Sequence, residues 1–371
     1  MNQTTFHLDG VARMLDRSDT LLSSDVEMDD LTSALIKPFD YEWDGTSTFA
    51  PFQIPAGLPQ IFGIGLIVGA SGTGKSSLLR EFGVQNEPEW AKHKSIAAHF
   101  ASSEDAAERL MAVGLMSVPD WVKPYHALST GQKFRADLAR QVGSGAVVDE
   151  FTSVVDRNVA KSASSAMSKF IRRRGITNVV LASCHRDIVD WLEPDWIIDT
   201  DRGEVTIGRS LQRPEVVVEV HPASHAIWKF FAPHHYLTGE LNKATHCYVA
   251  VWEQQLVGFY AVMTNPAGTL KNAWRGHRLV VMPDYQGLGI GPRLSETVAQ
   301  HYVDNGCRFF AKTAHPRLGS YRDASPRWKP TSKNHRLRTD ANLMRSSRWH
   351  PNPDRWSFSH EYVGGLERAV A

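Results

Sequence analysis

The chain has 371 residues, 42% hydrophobic and 22% charged, with a formal net charge of +1. This is ordinary globular composition at a length that suits two domains, and it offers no global electrostatic attraction to any partner. Three distant cysteines, no apolar run near the roughly 20 residues of a membrane span and an N-terminus without an apolar signal core argue against a disulfide framework and a membrane span; a soluble, cytoplasmic protein is expected.

Residues 1–45 have no clear period and read as an N-terminal extension, acidic over 19–31. The stretch 61-IFGIGLIVGASGTGKSSLLREFG-83 reads as a buried strand, a glycine loop and a helix. A short strand is expected over 95–100 and a helix over 104–115, with Pro119 and Pro124 breaking the chain after it. A helix over 131–143, a strand over 144–151, a helix over 158–175 and a strand over 178–185 follow, and the alternation argues for a mostly parallel sheet. Residues 195–208 read as a hairpin around Arg202–Gly203.

The pattern changes at 209–215, which divides a domain over 46–212 from one over 213–330. Strands are expected over 216–221 and 275–283, a hairpin over 246–263, a helix over 291–306 with Pro292 in its first turn, and a strand over 308–314. Residues 331–371 read as a basic, Trp-containing tail.

Two glycine loops carry the chemistry. In the first, Gly69, Ser71, Gly72, Gly74, Lys75, Ser76 and Ser77 fit the P-loop pattern completely. Its glycines turn backbone N–H groups toward phosphates, Lys75 neutralises β/γ oxygens, and the Ser76 hydroxyl holds Mg²⁺. Asp149 and Glu150 close an apolar strand, Asp149 placed for Mg²⁺ and Glu150 for the attacking water, and His185 ends the next strand within reach of a γ-phosphate. With 128-LSTGQ-132 and Asp156 these pieces stand in the order of the ABC-type ATPases, which the first half resembles. The resemblance implies ATP and Mg²⁺ as cofactors. It also implies an ATP-dependent head-to-tail homodimer in which Ser129, Gly131 and Gln132 of one copy cover the nucleotide of the other. A plainer reading of LSTGQ is a helix N-cap. The family's glutamine after the second strand is not evident, His99–Phe100 standing in its place, and Tyr41 and Trp43 are the candidates for stacking on adenine.

In the second loop, Gln286, Gly287, Leu288, Gly289, Ile290 and Gly291 lie between a strand and a helix, where free N–H groups and the helix dipole suit a pyrophosphate. It lacks the Lys-Ser pair of the first. With 279-LVVMPDYQ-286 before it, the pattern resembles the GNAT acyltransferases, which implies acetyl-CoA or another acyl-CoA as cofactor. Expected overall is an α/β protein: a P-loop ABC-type ATPase domain plus a GNAT-fold domain with a mixed α+β sheet.

Acyl transfer needs a base for the amine and an acid for the thiolate. His235 is the first candidate base and Tyr236 the donor, with Tyr321 the positional candidate for protonating the thiolate; His315 and Asp323 follow. A metal site from His234, His235, His246 or His277 ranks lower. The segments 234-HHYL-237, 278-RLVVMP-283 and 313-TAHPRLGSYRDASPRW-328 look similar to phage DNA-modification proteins of the Mom type. From Lys312 to Arg368 twelve Lys/Arg stand against five Asp/Glu, among them Arg317, Arg322, Arg327, Lys329, Lys333, Arg336, Arg338, Arg345 and Arg348, with Trp328, Trp349 and Trp356 interleaved. Cations suit phosphates and aromatics suit exposed bases. The leading expectation is therefore an ATP-driven acyl-modifying enzyme of nucleic-acid bases, DNA before RNA. The rivals are a GNAT acting on a protein or small-molecule amine under ABC control, and a non-catalytic sensor.

Overall fold

The computed structural model describes residues 12–19, 21–39, 43–208, 214–235, 240–265, 270–337 and 356–364. It divides into two compact units, one of Met1–Gly114 with Lys123–Pro214, the other of Leu115–Val122 with Glu215–Ala371.

In the first unit, β1 (Ala12–Met14), β2 (Leu22–Asp25), α1 (Asp30–Ile36) and β3 (Thr46–Phe49) lead to β4 (Ile64–Val68) and α2 (Lys75–Arg80). Then come α3 (Ser103–Ala112), α5 (Thr130–Gln141), β5 (Val147–Val148), α6 (Arg157–Arg174), β6 (Val179–Ser183), α7 (Val189–Leu192), β7 (Trp196–Asp199) and β8 (Glu204–Ile207); the short α4 (Val118–Trp121) falls in the second unit's segment. The sheet runs β1-β8-β7-β4-β6-β5, with β5, β6, β4 and β7 parallel and β8 and β1 antiparallel. Both faces of the parallel part are covered, which is why β4 and β6 are buried at every position and show no alternation. Gly65 is required there, because any side chain would overlap the Trp196 ring. That ring stacks on Phe82 at 5.4 Å and meets Phe62 edge-on at 5.2 Å.

Two expectations fail locally. Residues 96–99 form a 3₁₀ turn instead of a strand. The His99 ring bridges Ser95 O and Ala91 N, each at 2.9 Å, and so fixes a tight turn with Ile96 buried beneath it. The strand over 144–151 contracts to Val147–Val148, since Glu150 and Thr152 take left-handed backbone (φ 48° and 71°) that no strand continues.

The second unit holds β9 (Glu219–Ala223), α8 (Trp228–Phe231), β10 (His246–Trp252), β11 (Gln255–Thr264), β12 (Ala273–Val281), α9 (Ile290–Asp304), β13 (Arg308–Thr313), α10 (Pro316–Ala324), β14 (Trp328–Pro330), β15 (Arg336–Leu337) and β16 (Trp356–Tyr362). The order is β14-β16-β13-β12-β11-β10-β9, with β15 on β16. The β10–β11 hairpin turns at Glu253–Gln254, both at positive φ. All described pairings are antiparallel except β12 with β13, the pair joined by α9. A cluster of Trp228, Phe231, Val249, Phe259 and Val280 packs one face. The expected tail corrects most: β16 is an interior strand between β13 and β14. Its alternation turns His360 and Tyr362 into the core, at 0% and 4% exposure.

Candidate functional site

The strand–loop–helix around the P-loop forms as its sequence dictates. Val68 ends β4, Gly72 and Gly74 take φ of 82° and 92°, and Gly74 caps α2, which opens at Lys75. A side chain at Gly69 would overlap Thr200, and one at Gly74 would overlap the ring of Phe49. Lys75 Nζ donates to Ala70 O at 2.6 Å, and Thr73 Oγ1 lies 2.6 Å from Thr200 Oγ1. Ser71, Gly72 and Ser76 are exposed and Ser77 is half-buried. Asp201 Oδ1 accepts from Ala70 N at 2.8 Å and its other oxygen from Arg186 at 3.0 Å, while Arg186 also donates to Asp199 at 2.6 Å. Burial pushes the Asp201 carboxyl up, but these donors and Lys75 outweigh it and hold it below the usual range.

The sheet order brings the rest together. Because β6 lies between β4 and β5, His185 past its end stands between the P-loop and the Asp149–Glu150 pair. Thr152 Oγ1 lies 3.1 Å from His185 Nδ1 and 3.4 Å from Ser183 Oγ. Burial, aided by Arg157, lowers the His185 pKa. Gln85 accepts from Asp149 N at 2.7 Å. Neither Gln85, ten residues past Lys75, nor Phe49 stands out in the sequence; of the aromatic candidates for adenine, Tyr41 lies outside the described residues.

The LSTGQ segment is a capping box. Ser129 Oγ accepts from Gln132 N at 3.3 Å and Gln132 Oε1 accepts from Ser129 N at 3.0 Å. Gly131 lies in the first turn of α5 beside Val155 and Val159. Asp156 in turn caps α6 through Asn158 N and Val159 N.

In the second unit, Gly287 and Gly289 take φ of 95° and 88° and Gly289 caps α9. The fifteen-residue helix therefore opens directly from a turn that only glycine adopts without strain. Leu288 is half-buried, while Ile290 and Gly291 are buried against the sheet, Gly291 facing Val281 and Leu279. Gln286 braces the loop: its Nε2 donates to Val281 O at 2.9 Å, and its Oε1 accepts from Met116 N at 3.0 Å.

Below the loop the two parallel strands part. β12 and β13 pair only at Ala273–Arg308, Trp274–Phe309 and Arg275–Phe310, although β12 continues to Val281 and β13 to Thr313. A bulge at the same level, between the pairs Ala261–Arg278 and Val262–Gly276, leaves His277 as the extra residue. Its Nε2 is buried with no hydrogen-bond partner among the described residues. Burial, with Arg278, Arg275 and His235 beside it, lowers its pKa to about 4, so the ring is neutral. His235 is 9% exposed and meets Trp228 edge-on at 5.8 Å. The bulge that joins these histidines leaves no mark in the sequence.

The remaining candidates are placed as follows. Tyr236 lies outside the described residues. Tyr321 donates to Glu296 Oε1 at 2.9 Å, and burial with that carboxylate pushes its pKa up to about 12. His315 precedes α10, and burial with Arg317 nearby lowers its pKa to about 4. Asp323 accepts from Asn334 at 2.9 Å, His335 at 3.0 Å and His360 at 2.8 Å. His246 is taken by Tyr302 at 2.7 Å, and among the described residues no three His, Cys, Asp or Glu gather as a metal site. Of the basic stretch, Arg338, Arg345, Arg348 and Trp349 lie outside the described residues. Trp328 is buried and donates to Glu296 at 2.9 Å, Arg322 is buried over its ring, and Arg327 pairs with Glu296 at 3.2 Å. Trp328 is thus a core residue and offers no stacking face to a base. Among the described residues no helix is long and apolar enough to cross a membrane.

Comparison with known proteins agrees with the second unit's geometry. The acetyltransferase (GNAT) family matches residues 210–322. The match falls on the second unit, whose mixed sheet has a GNAT-like fold. A GNAT family acetyltransferase from Elizabethkingia anophelis with acetyl-CoA bound is 14% identical, covering 39% of this chain and 97% of that one, with a TM-score of 0.30. The ribosomal-protein-S18-alanine N-acetyltransferase from Escherichia coli is 8% identical over 42% of this chain and 99% of its own, at 0.29. A dimeric bacterial ABC transporter cassette is 14% identical over 41% of this chain and 87% of its own, at 0.32. No curated protein matches the sequence.

Proposed function

We propose that the chain is an acyl-CoA-dependent N-acyltransferase of the GNAT type whose other unit is an ATP-binding P-loop regulator of the ABC kind. The observation that carries this is the parting of β12 from β13 beneath the glycine turn that opens α9. Separated parallel strands leave backbone N–H and C=O groups to pair with an extended ligand, and the N–H groups at the head of α9 suit its pyrophosphate. Gly287, Leu288, Gly289, Ile290 and Gly291 line that turn, and Gln286 keeps it in place.

In the transfer step the acceptor amine attacks the thioester carbonyl. The C–N bond forms, the C–S bond breaks, the amine proton passes to a base and the thiolate takes up a proton. His277, neutral at the bulge with His235 beside it, supports the reading of this pair as the base. Tyr321 already donates its O–H to Glu296, so as the acid it must first leave that hydrogen bond. The acceptor we favour is an amine of a protein or small molecule. The nucleic-acid reading rested on interleaved cations and tryptophans, and Arg322 and Trp328 are spent in the core.

In the first unit Ser71 to Ser77 would cradle triphosphate. Ser76 and Asp149 would hold Mg²⁺, whose chemistry is to neutralise β/γ oxygens, with Glu150 and His185 at the γ-phosphate. The fit is supported by the exposed Ser76 and by Asp149, Glu150 and His185 standing at the ends of adjacent strands. A head-to-tail dimer would add Ser129 and Gly131 of a second copy.

The test is thiol release from acetyl-CoA and from CoA thioesters with other acyl groups, against a panel of peptides, polyamines, aminoglycosides and duplex DNA, followed by mass analysis of each acceptor. A mass gain on an amine supports the reading. A gain confined to the nucleosides of digested DNA would replace it with base modification, and no release with any acceptor would leave a non-catalytic binder. With His277 as base, the acid limb of kcat/KM falls near pH 4 instead of near pH 6.5.

A further inference from the structure

Four strands meet at the level where β12 and β13 part. The first residue past the last pair is Gly276 on one strand and Ala311 on the other. Across β12 from that point, on β11, the Tyr260 hydroxyl lies so close to Gly276 that any side chain there would overlap it. Across β13, on β16, His360 is the register partner of Ala311. Arg322 of α10 lies over the Trp328 ring at 4.5 Å, its Nη2 reaches Ser295 of α9 at 3.4 Å, and its charge is close enough to work toward a lower pKa at both Tyr260 and His360. Tyr260, Arg322 and His360 are 2%, 2% and 0% exposed.

All three are incompletely satisfied. Tyr260 OH, Arg322 Nε and His360 Nδ1 are buried and find no hydrogen-bond partner among the described residues. A buried polar atom left unpaired is costly and rare, and a buried guanidinium is normally paired with a carboxylate. Glu296 is near enough to act on Arg322, but its oxygens are taken by Tyr321, Trp328 and Arg327. Arg322 therefore has no ion pair among the described residues. His360 is held through Nε2 by Asp323 at 2.8 Å, so its ring is fixed; burial outweighs that carboxylate and lowers its pKa, which leaves Nδ1 an acceptor on the neutral ring.

We propose that Tyr260, Arg322 and His360 form the acyl-recognition site, and that the acyl group of the cognate thioester ends in a carboxylate, as in malonyl- or succinyl-CoA. The proposal rests on the GNAT reading above and names the substrate class of the same site. An acetyl or longer aliphatic acyl group would leave the two donors, Tyr260 and Arg322, unpaired and cover them with methylene. A terminal carboxylate accepts from Tyr260 and Arg322 and gives the buried cation its counter-charge. Ligands that satisfy buried polar groups are separated from those that cannot by large factors.

Binding decides this without knowledge of the acceptor. The full chain is titrated calorimetrically with CoA, butyryl-CoA and succinyl-CoA, the last two sharing a four-carbon acyl chain. Succinyl-CoA is expected to bind at least about tenfold more tightly than butyryl-CoA, the range of a charge-assisted hydrogen bond. Arg322→Met should abolish that ratio and leave the affinity for CoA unchanged. Tyr260→Phe, which removes one oxygen and is the safer variant for folding, should cut the ratio about threefold or more. Equal affinities, or a preference for butyryl-CoA, would overturn the proposal and mean that water meets these groups. A ratio that survives both substitutions would overturn the assignment to these residues. Failure of CoA itself to bind would instead sink the GNAT reading beneath it.

Discussion

His277 and His315 show at the residue scale what burial does to a titratable ring. Both are held near pKa 4, burial being the larger cause in each, against about 6.5 for a free imidazole. Between those values the unfolded chain binds protons that the native chain refuses, so stability rises with pH there. It should be complete above about pH 6.5 and should decline as the pH falls toward 4, by at most about 1.4 kcal/mol per pH unit for each ring. Urea denaturation at pH 7, 6 and 5 measures that slope. His315→Gln should flatten it, and an unchanged slope would show that His315 is not held neutral. Residues of this kind were only half legible in the sequence. Gly287 and Gly289 announce their turn, because a glycine pair between strand and helix has few other uses. Gly276 and His277 do not, because their roles depend on Tyr260 and on a bulge set by the partner strand. Phe49, Gln85 and His360 were missed for the same reason: each matters through a contact distant in sequence.

At the scale of elements, local pattern carried the P-loop strand and helix, the hairpins at 195–208 and 246–263, and the helix opening α9. In each of these the period, the cap and the turn residues agree. The pattern gave out where tertiary contacts override propensity. The 3₁₀ turn at 96–99 is made by the His99 ring, and β5 is cut short by backbone that only its packed surroundings impose. The larger lesson is β16, whose residues read as a basic tail yet form an interior strand. Its anchor is Tyr362, 4% exposed, with its ring 4.9 Å from Trp328 and its hydroxyl donating to Gln300 at 3.0 Å. Removing a buried aromatic ring from such a place typically costs about 3–5 kcal/mol. Tyr362→Ala should therefore lower the denaturation midpoint of the second unit by a matching amount, whereas a loss under about 1 kcal/mol would mean that the strand is peripheral.

For the whole molecule, two loops that look alike in sequence stand in different settings. The first carries Lys75 and Ser76 and stands beside Asp149, Glu150 and His185; the second has neither residue and opens a long helix over two parting strands. Lys75→Ala should reduce binding of a fluorescent ATP analogue by at least about tenfold, as expected for loss of a charged phosphate contact, and undiminished binding would remove the first loop from the nucleotide site. The acyl-transfer half is tested most directly by titrating acetyl-CoA into the wild-type chain and into Gly289→Trp, which fills the turn. Saturable binding by the wild type at micromolar concentrations, lost in a Gly289→Trp protein that still unfolds cooperatively although the positive φ costs it some stability, is the predicted result. No binding by the wild type, or equal binding by both, would contradict the placement of a thioester cofactor at Gly287–Gly291.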